Sequence, residues 1–195
     1  MVKTKHRVLS KSQHTIILDP PLNPFCSVPT SILSSIVLND SIEIILKPEK
    51  QQIKILPRKN LFSRSEKVEK KIVANLDHLF LVVTNFPPFN LINSAKMAIR
   101  ARNENIPLTI IMNKVDHPNV NESFKKKVKA LIPFSVCDEA NDNKKFKIIQ
   151  VSLHDDTLIK NLSSKIREIA LTSENREVSI CLIGQSGVGK SSLIN

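Results

Sequence analysis

A chain of 195 residues, 41% of them hydrophobic, can bury one medium core or two small ones, which excludes wholesale disorder. Its three cysteines (Cys26, Cys137 and Cys181) and five histidines are scattered, which excludes a disulfide framework and a zinc site built on Cys/His spacing. The net charge of +11 is uneven: residues 1–75 carry 13 Lys/Arg against 6 Asp/Glu and residues 76–195 carry 16 against 12, so the first third suits a polyanion such as RNA. No stretch approaches the roughly 18 apolar residues that span a bilayer. The basic N-terminus is not followed by the apolar segment of a secretory signal. A soluble, cytoplasmic protein with no membrane partner is expected.

The first 75 residues read as short strands. Arg7–Ser10 and Thr15–Leu18 flank a polar turn, and Asp19–Asn23 with Pro24 is a proline-rich loop. Ile42–Leu46 alternates at period two, with Ile42, Ile44 and Leu46 on one face. After a turn at Lys47–Lys50, Ile53 and Ile55 alternate around Lys54. Strands this short and close predict a small barrel or sandwich. Pro57–Ser65 reads as a basic linker, and a domain boundary is placed near residue 72.

Beyond it the rhythm becomes strand, helix, strand. Leu79–Val83 and Leu108–Met112 are apolar runs of the kind buried parallel strands show. A helix is expected over 91–104 with Ile92, Ala95 and Ile99 inward. Glu122–Ile132 is a second helix, with Phe124, Val128, Leu131 and Ile132 inward and Lys125–Lys127 mostly outward. Lys147–Ser152 is a strand, 157–171 a helix, and Val178–Ile183 the last strand. Regular alternation predicts an open parallel α/β sheet.

Two motifs carry chemistry. The chain has 3 glycines, all within Gly184-Gln185-Ser186-Gly187-Val188-Gly189-Lys190-Ser191-Ser192. Glycine is needed where backbone takes positive φ or closely approaches a ligand. The stretch follows a strand and matches the phosphate-binding loop, whose backbone N–H groups form an anion nest. Lys190 is expected to meet the β- and γ-phosphates and Ser191 to coordinate Mg²⁺. The second motif is Asn113-Lys114-Val115-Asp116. The Asp116 carboxylate can accept from guanine N1–H and its N2 amine, a donor pair that adenine lacks. Lys114 can lie along the base and Asn113 can brace the loop. Ser152 and Leu153, at the end of the next strand, offer a backbone N–H to guanine O6. An ATPase reading of the phosphate loop stays open, with Asp116 against it.

In ordinary GTPases the phosphate loop comes before N-K-x-D; here the order is inverted. This order behind a barrel-like domain resembles the circularly permuted GTPases of the ribosome small-subunit-dependent GTPase A family. Pro57–Asn60 with Arg64, Val73–Asp77, Asn113–Asp116 and Gly184–Ser192 carry the resemblance. It implies an OB-fold β-barrel that binds ribosomal RNA over 1–72. It also implies a partial circularly permuted P-loop GTPase domain over 73–195, ending just after the phosphate loop. The implied protein is a monomeric factor in late maturation of the small ribosomal subunit, using GTP or GDP with Mg²⁺. The alternative is a non-catalytic RNA-binding module with a vestigial nucleotide site. The family continues with an effector loop, a D-x-x-G segment and a zinc domain. The expectation for these 195 residues is therefore no complete catalytic set, no zinc site and weak nucleotide affinity. Three local departures stand out: Cys26–Thr30 lacks the family's basic residues, Asn39-Asp40 replaces a usual Gly-Asp turn, and Leu153-His154-Asp155-Asp156 lacks the small residues expected beside the third guanine contact. Asn is the best non-glycine occupant of left-handed φ.

Overall fold

A computed structural model of the chain describes residues 2–13, 15–19, 25–46, 51–65, 69–134, 148–172 and 177–195. The expected turns at 20–24 and 47–50, together with Lys147 and Cys137, lie outside these residues. The chain divides into two compact units, Met1–Leu76 and Asp77–Asn195. None of the described helices is long and apolar enough to cross a membrane.

The first unit is an OB-fold. Its antiparallel strands are β1 (Val2–Lys11), β2 (Thr15–Asp19), β3 (Phe25–Ser27), β4 (Ser41–Leu46) and β5 (Gln51–Ile55), in the order β3-β2-β1-β4-β5. Helix α1 (Thr30–Leu33) follows β3. Period-two alternation sends Val8, Ile16, Leu18, Ile42, Ile44 and Ile53 into one core with Val28, Leu33 and Ile36. A register shift between Val8 and Ser10 leaves Leu9 on the surface.

Pro57–Ser65 is not a linker throughout. Leu61–Ser65 is strand β6, paired with β7 (Glu69–Ala74) in a two-stranded antiparallel sheet. The apolar signal is short because buried Ser63 stands beside Phe62 and satisfies its hydroxyl on Glu69. A boundary at residue 72 would cut β7, whose pairing with β6 runs to Ala74. Asn39 takes φ 62°, and its amide donates to the carbonyls of Ala74 and Asn75. The adjacent Asp40 is fully buried and accepts from Val37 N at 2.8 Å and from Arg58 Nε and Nη2 at 2.7 and 2.8 Å. Arg58 also donates to the Ser35 carbonyl. A buried carboxylate is tolerable because a guanidinium fork and a backbone N–H supply its hydrogen bonds.

The second unit is an α/β domain with a parallel sheet. Strands β8 (His78–Val83), β9 (Leu108–Asn113), β10 (Ile148–Val151) and β11 (Ile180–Ile183) run in the order β10-β9-β8-β11. Every residue of β8 and β9 is buried, as central strands covered on both faces require. Strand β11 is an edge among the described strands, and its Ile180, Cys181 and Leu182 are half-buried. Burial raises the Cys181 thiol above its ordinary pKa.

Helices α2 (Leu91–Asn103), α3 (Glu122–Lys129) and α4 (Asp156–Thr172) connect these strands. Asn90 and Asn121 cap α2 and α3 by accepting from Asn93 N and Phe124 N. The face expected for α2 is overturned. Ser94, Ala98 and Ala101 are buried, whereas Ile92 is 68% and Ile99 39% exposed. Small side chains let the helix axis approach, and their 4- and 3-residue spacing is as helical as the isoleucine pattern. Helix α3 ends earlier than expected, and Ile132 opens a 3₁₀ turn with its side chain exposed.

Candidate functional site

Four parallel strands deliver their C-terminal ends to one edge of the sheet, where ligands bind in open α/β folds. Asn113 is the last residue of β9, Ser152 follows β10, and Gly184 follows β11. The loop after β8 adds Thr84–Pro88, a segment that carries no recognisable motif.

The phosphate-loop stretch is built on backbone that only glycine accepts comfortably. Gly184, Gly187 and Gly189 have φ of 148°, 79° and 94°. A Cβ on Gly184 would collide with the Val82 carbonyl, and one on Gly189 with the Asn113 side-chain amide. Val188 anchors the loop by packing with Phe80, Val82 and Ile111 in the core. Gln185, Ser186 and Gly187 are exposed. Helix α5 (Lys190–Ile194) starts immediately after Gly189. The Lys190 ammonium folds back over the loop and donates to the carbonyls of Gly184 (3.1 Å) and Gln185 (2.9 Å). Ser191 and Ser192 lie exposed in the first turn.

The second motif touches this loop directly. Asn113, 1% exposed, donates from Nδ2 to the Val188 carbonyl at 2.9 Å. Its Oδ1 is buried without a hydrogen-bond partner among the described residues. Lys114 has φ 56°, and its ammonium donates to the carbonyls of Gly187 and Phe86, both at 3.0 Å. Val115 N donates to the Val151 carbonyl, tying the motif to β10. Asp116 is exposed, and the Ser152 hydroxyl, then its own backbone N–H, hold its carboxyl below the usual pKa, with smaller contributions from His154 and His117. Ser152 is buried and its Oγ also accepts from His154 N at 3.1 Å, while Leu153 is 44% exposed.

The two sequence motifs therefore form one constellation, with Ser152 joined to it through its side chain. Leu153 makes no comparable contact among the described residues. Phe86, Pro87 and His117 were not anticipated. Phe86 and His117 stack with ring centroids 4.6 Å apart and planes 7° apart, and Lys114 Nζ lies 5.5 Å from the Phe86 centroid. Pro87 lies nearest to where a Gly187 Cβ would stand. Only the Phe86-Pro87-Pro88 run hinted at a constrained turn here.

A phosphate-type loop and an N-K-x-D segment on one edge of a parallel sheet, with the loop later in the chain, define a P-loop protein of the circularly permuted kind. The comparisons agree. A model of the RsgA GTPase family matches residues 55–195. The chain is 30% identical over 142 residues to the small ribosomal subunit biogenesis GTPase RsgA of Bordetella pertussis, covering 72% of this chain and 41% of that protein. It is 26% identical over 190 residues to the Variovorax paradoxus protein of the same name, covering 96% and 54%. The fold resembles the crystal structure of YjeQ from Thermotoga maritima, with TM-score 0.61, 23% identity, and 100% and 64% coverage. It also resembles YloQ, described as a circularly permuted GTPase, with TM-score 0.53, 16% identity, and 99% and 63% coverage. The chain belongs to the RsgA GTPase family. It spans about two fifths to one half of the length of these curated relatives.

Proposed function

We propose that the constellation is a guanine-nucleotide site and that the protein acts as a GTPase in biogenesis of the small ribosomal subunit. The observation that carries the reading is the Asn113 bond to the Val188 carbonyl, which joins a base-reading motif to a phosphate loop across 75 positions. The relatives' names carry the process: both curated proteins are small ribosomal subunit biogenesis GTPases. The alternative of a vestigial site is not favoured by that kinship.

In this reading Asp116 accepts from guanine N1–H and N2, and the Ser152 hydroxyl keeps it ionised and oriented. Lys114 lays its stem along the base and Val115 supports the turn. A backbone N–H at Ser152 or Leu153 serves O6. Backbone N–H groups from Gly184 through Gly189 cradle phosphate, and Lys190 exchanges its two carbonyl acceptors for phosphate oxygens. Ser191, with its exposed hydroxyl next to Lys190, would hold Mg²⁺, and Ser192 completes the turn. An ion held there would supply charge neutralisation at the phosphate oxygens. The basic OB-fold unit is assigned to small-subunit ribosomal RNA, and the protein to the cytoplasm as a monomer.

The test is an NMR titration of the 195-residue chain with GDP, GTP and ATP, a method that reads weak binding. GDP and GTP should shift resonances of 113–116 and 184–192, and ATP should not. Asp116→Asn should abolish the preference for guanine. Equal responses to ATP and GTP in the unsubstituted chain would overturn the guanine assignment.

A further inference from the structure

The loop after β8 and the N-K-x-D turn are joined by Lys114 and by three side chains with no part in the nucleotide contacts assigned above, Asn85, Phe86 and His117. Phe86 is 52% exposed, yet its ring is occupied on both counts that matter: His117 stacks on it and Lys114 Nζ approaches it. A protonated lysine gains by lying near an aromatic ring, and more so when its N–H groups also find carbonyls. Here the same ammonium donates to the Phe86 and Gly187 carbonyls, so one cation ties the loop after β8 to the phosphate loop. His117 is fixed on the other side. Its ring Nδ1 accepts from Asn119 N at 3.2 Å, and its backbone N–H donates to the Lys114 carbonyl at 3.0 Å. Asn85 completes the tie by donating from Nδ2 to the Asn119 carbonyl at 2.6 Å.

We propose that Phe86 and His117 form a positioning element for the guanine site, one that holds Lys114 in place only while the His117 imidazole is neutral. This rests on the guanine-site reading and adds a proton dependence to it. An imidazolium has a donor at Nδ1, where the geometry requires an acceptor for Asn119 N–H. It also places a second cation on the ring that Lys114 uses. Among the described residues, the charged groups around His117 are Lys114 and Asp116 on its own turn. The Asp116 carboxylate is already engaged by the Ser152 hydroxyl and its own backbone N–H, and it is shared with His154. Thr84–Pro88 contributes no titratable side chain, and Lys190 is engaged at Gly184 and Gln185. Acidification through the imidazole range therefore releases Asn119 N–H and loosens the turn that carries Lys114 and Asp116.

The experiment measures GDP binding by the 195-residue chain at about pH 8 and about pH 6, on either side of the ordinary histidine pKa. Unsubstituted protein should lose roughly two- to three-fold in affinity at the lower pH, since the worth of about one net hydrogen bond is lost only by the protonated fraction. His117→Phe keeps a ring to stack but cannot titrate, so its affinity, whatever its level, should be flat across this range. Phe86→Leu should weaken binding at both pH values. Equal acid losses in the unsubstituted and His117→Phe proteins overturn the proposal, because they place the dependence elsewhere. So does the absence of any loss. A second measurement, on nucleotide-free protein, follows the Asn119 amide resonance through the His117 titration. A shift and faster exchange on protonation are expected, and an indifferent amide overturns the proposal. If that amide responds while GDP does not bind at either pH, the guanine reading has failed and the latch itself has not.

Discussion

His78 offers a test of the second unit that can be worked to a number. It sits on β8 with its ring 4.9 Å from Phe80 and its Nε2 2.9 Å from the Thr109 hydroxyl. Burial, with Lys165 as a lesser cause, lowers its pKa from 6.5 to about 4. The depressed value means that the folded state refuses a proton that the unfolded chain accepts. Between about pH 6.5 and pH 4 the unfolded state binds more protons, so stability falls as pH falls through this window. The full loss, reached below both values, is on the order of 3 kcal/mol, at about 1.4 kcal/mol per pKa unit. At pH 5 it is about 2 kcal/mol by the same linkage. Urea unfolding followed by circular dichroism at pH 7.5 and pH 5 would measure it. His78→Gln keeps an amide that can bond Thr109 but does not titrate, and acid losses from other groups cancel between the two proteins. The unsubstituted chain should lose about 2 kcal/mol more than the variant over this range. Equal losses, or an NMR titration in which His78 protonates near 6.5, would refute the reasoning.

Other consequences of the structure can be tested in parallel. Arg58→Met should destabilise the first unit by on the order of 3 kcal/mol, because the fully buried Asp40 keeps only the Val37 N–H; Asp40→Asn added to it should recover part of the loss in denaturant unfolding. Asn113→Ala leaves the buried Val188 carbonyl without its donor, so it should cost about 1–3 kcal/mol and speed amide exchange across 184–190, read by hydrogen-exchange mass spectrometry. Gly189→Ala combines a backbone at φ 94° with a collision against the Asn113 amide, and should cost on the order of 2 kcal/mol while abolishing nucleotide-induced NMR shifts.

Much of this molecule is legible in its sequence. Period-two strands such as Ile42–Leu46 and the apolar runs at 79–83 and 108–112 declare themselves because each residue's burial follows from a local repeat. Three glycines gathered in six positions announce a loop whose φ angles no other residue accepts comfortably, and the angles bear this out. Asn39 takes left-handed φ at a turn that only the family's usual Gly-Asp pair pointed to.

What the repeat leaves open, packing decides. Two faces of α2 carry helical spacing, and the one with Ser94, Ala98 and Ala101 is buried because small side chains permit close approach, which apolarity alone does not report. Strand β6 exists because β7 pairs with it, and its buried Ser63 hides the alternation. The site shows the same division. The sequence by itself determined which residues have the chemistry: a carboxylate at 116, a lysine and serine at 190 and 191, and glycines at 184, 187 and 189. Only the tertiary structure decided that Asn113 Nδ2 meets the Val188 carbonyl, that Lys114 bridges Phe86 to Gly187, and that His117 lies flat on Phe86. Those contacts join segments that no local period relates. They arise because parallel strands, buried for their apolar side chains, bring their C-terminal ends to a common edge.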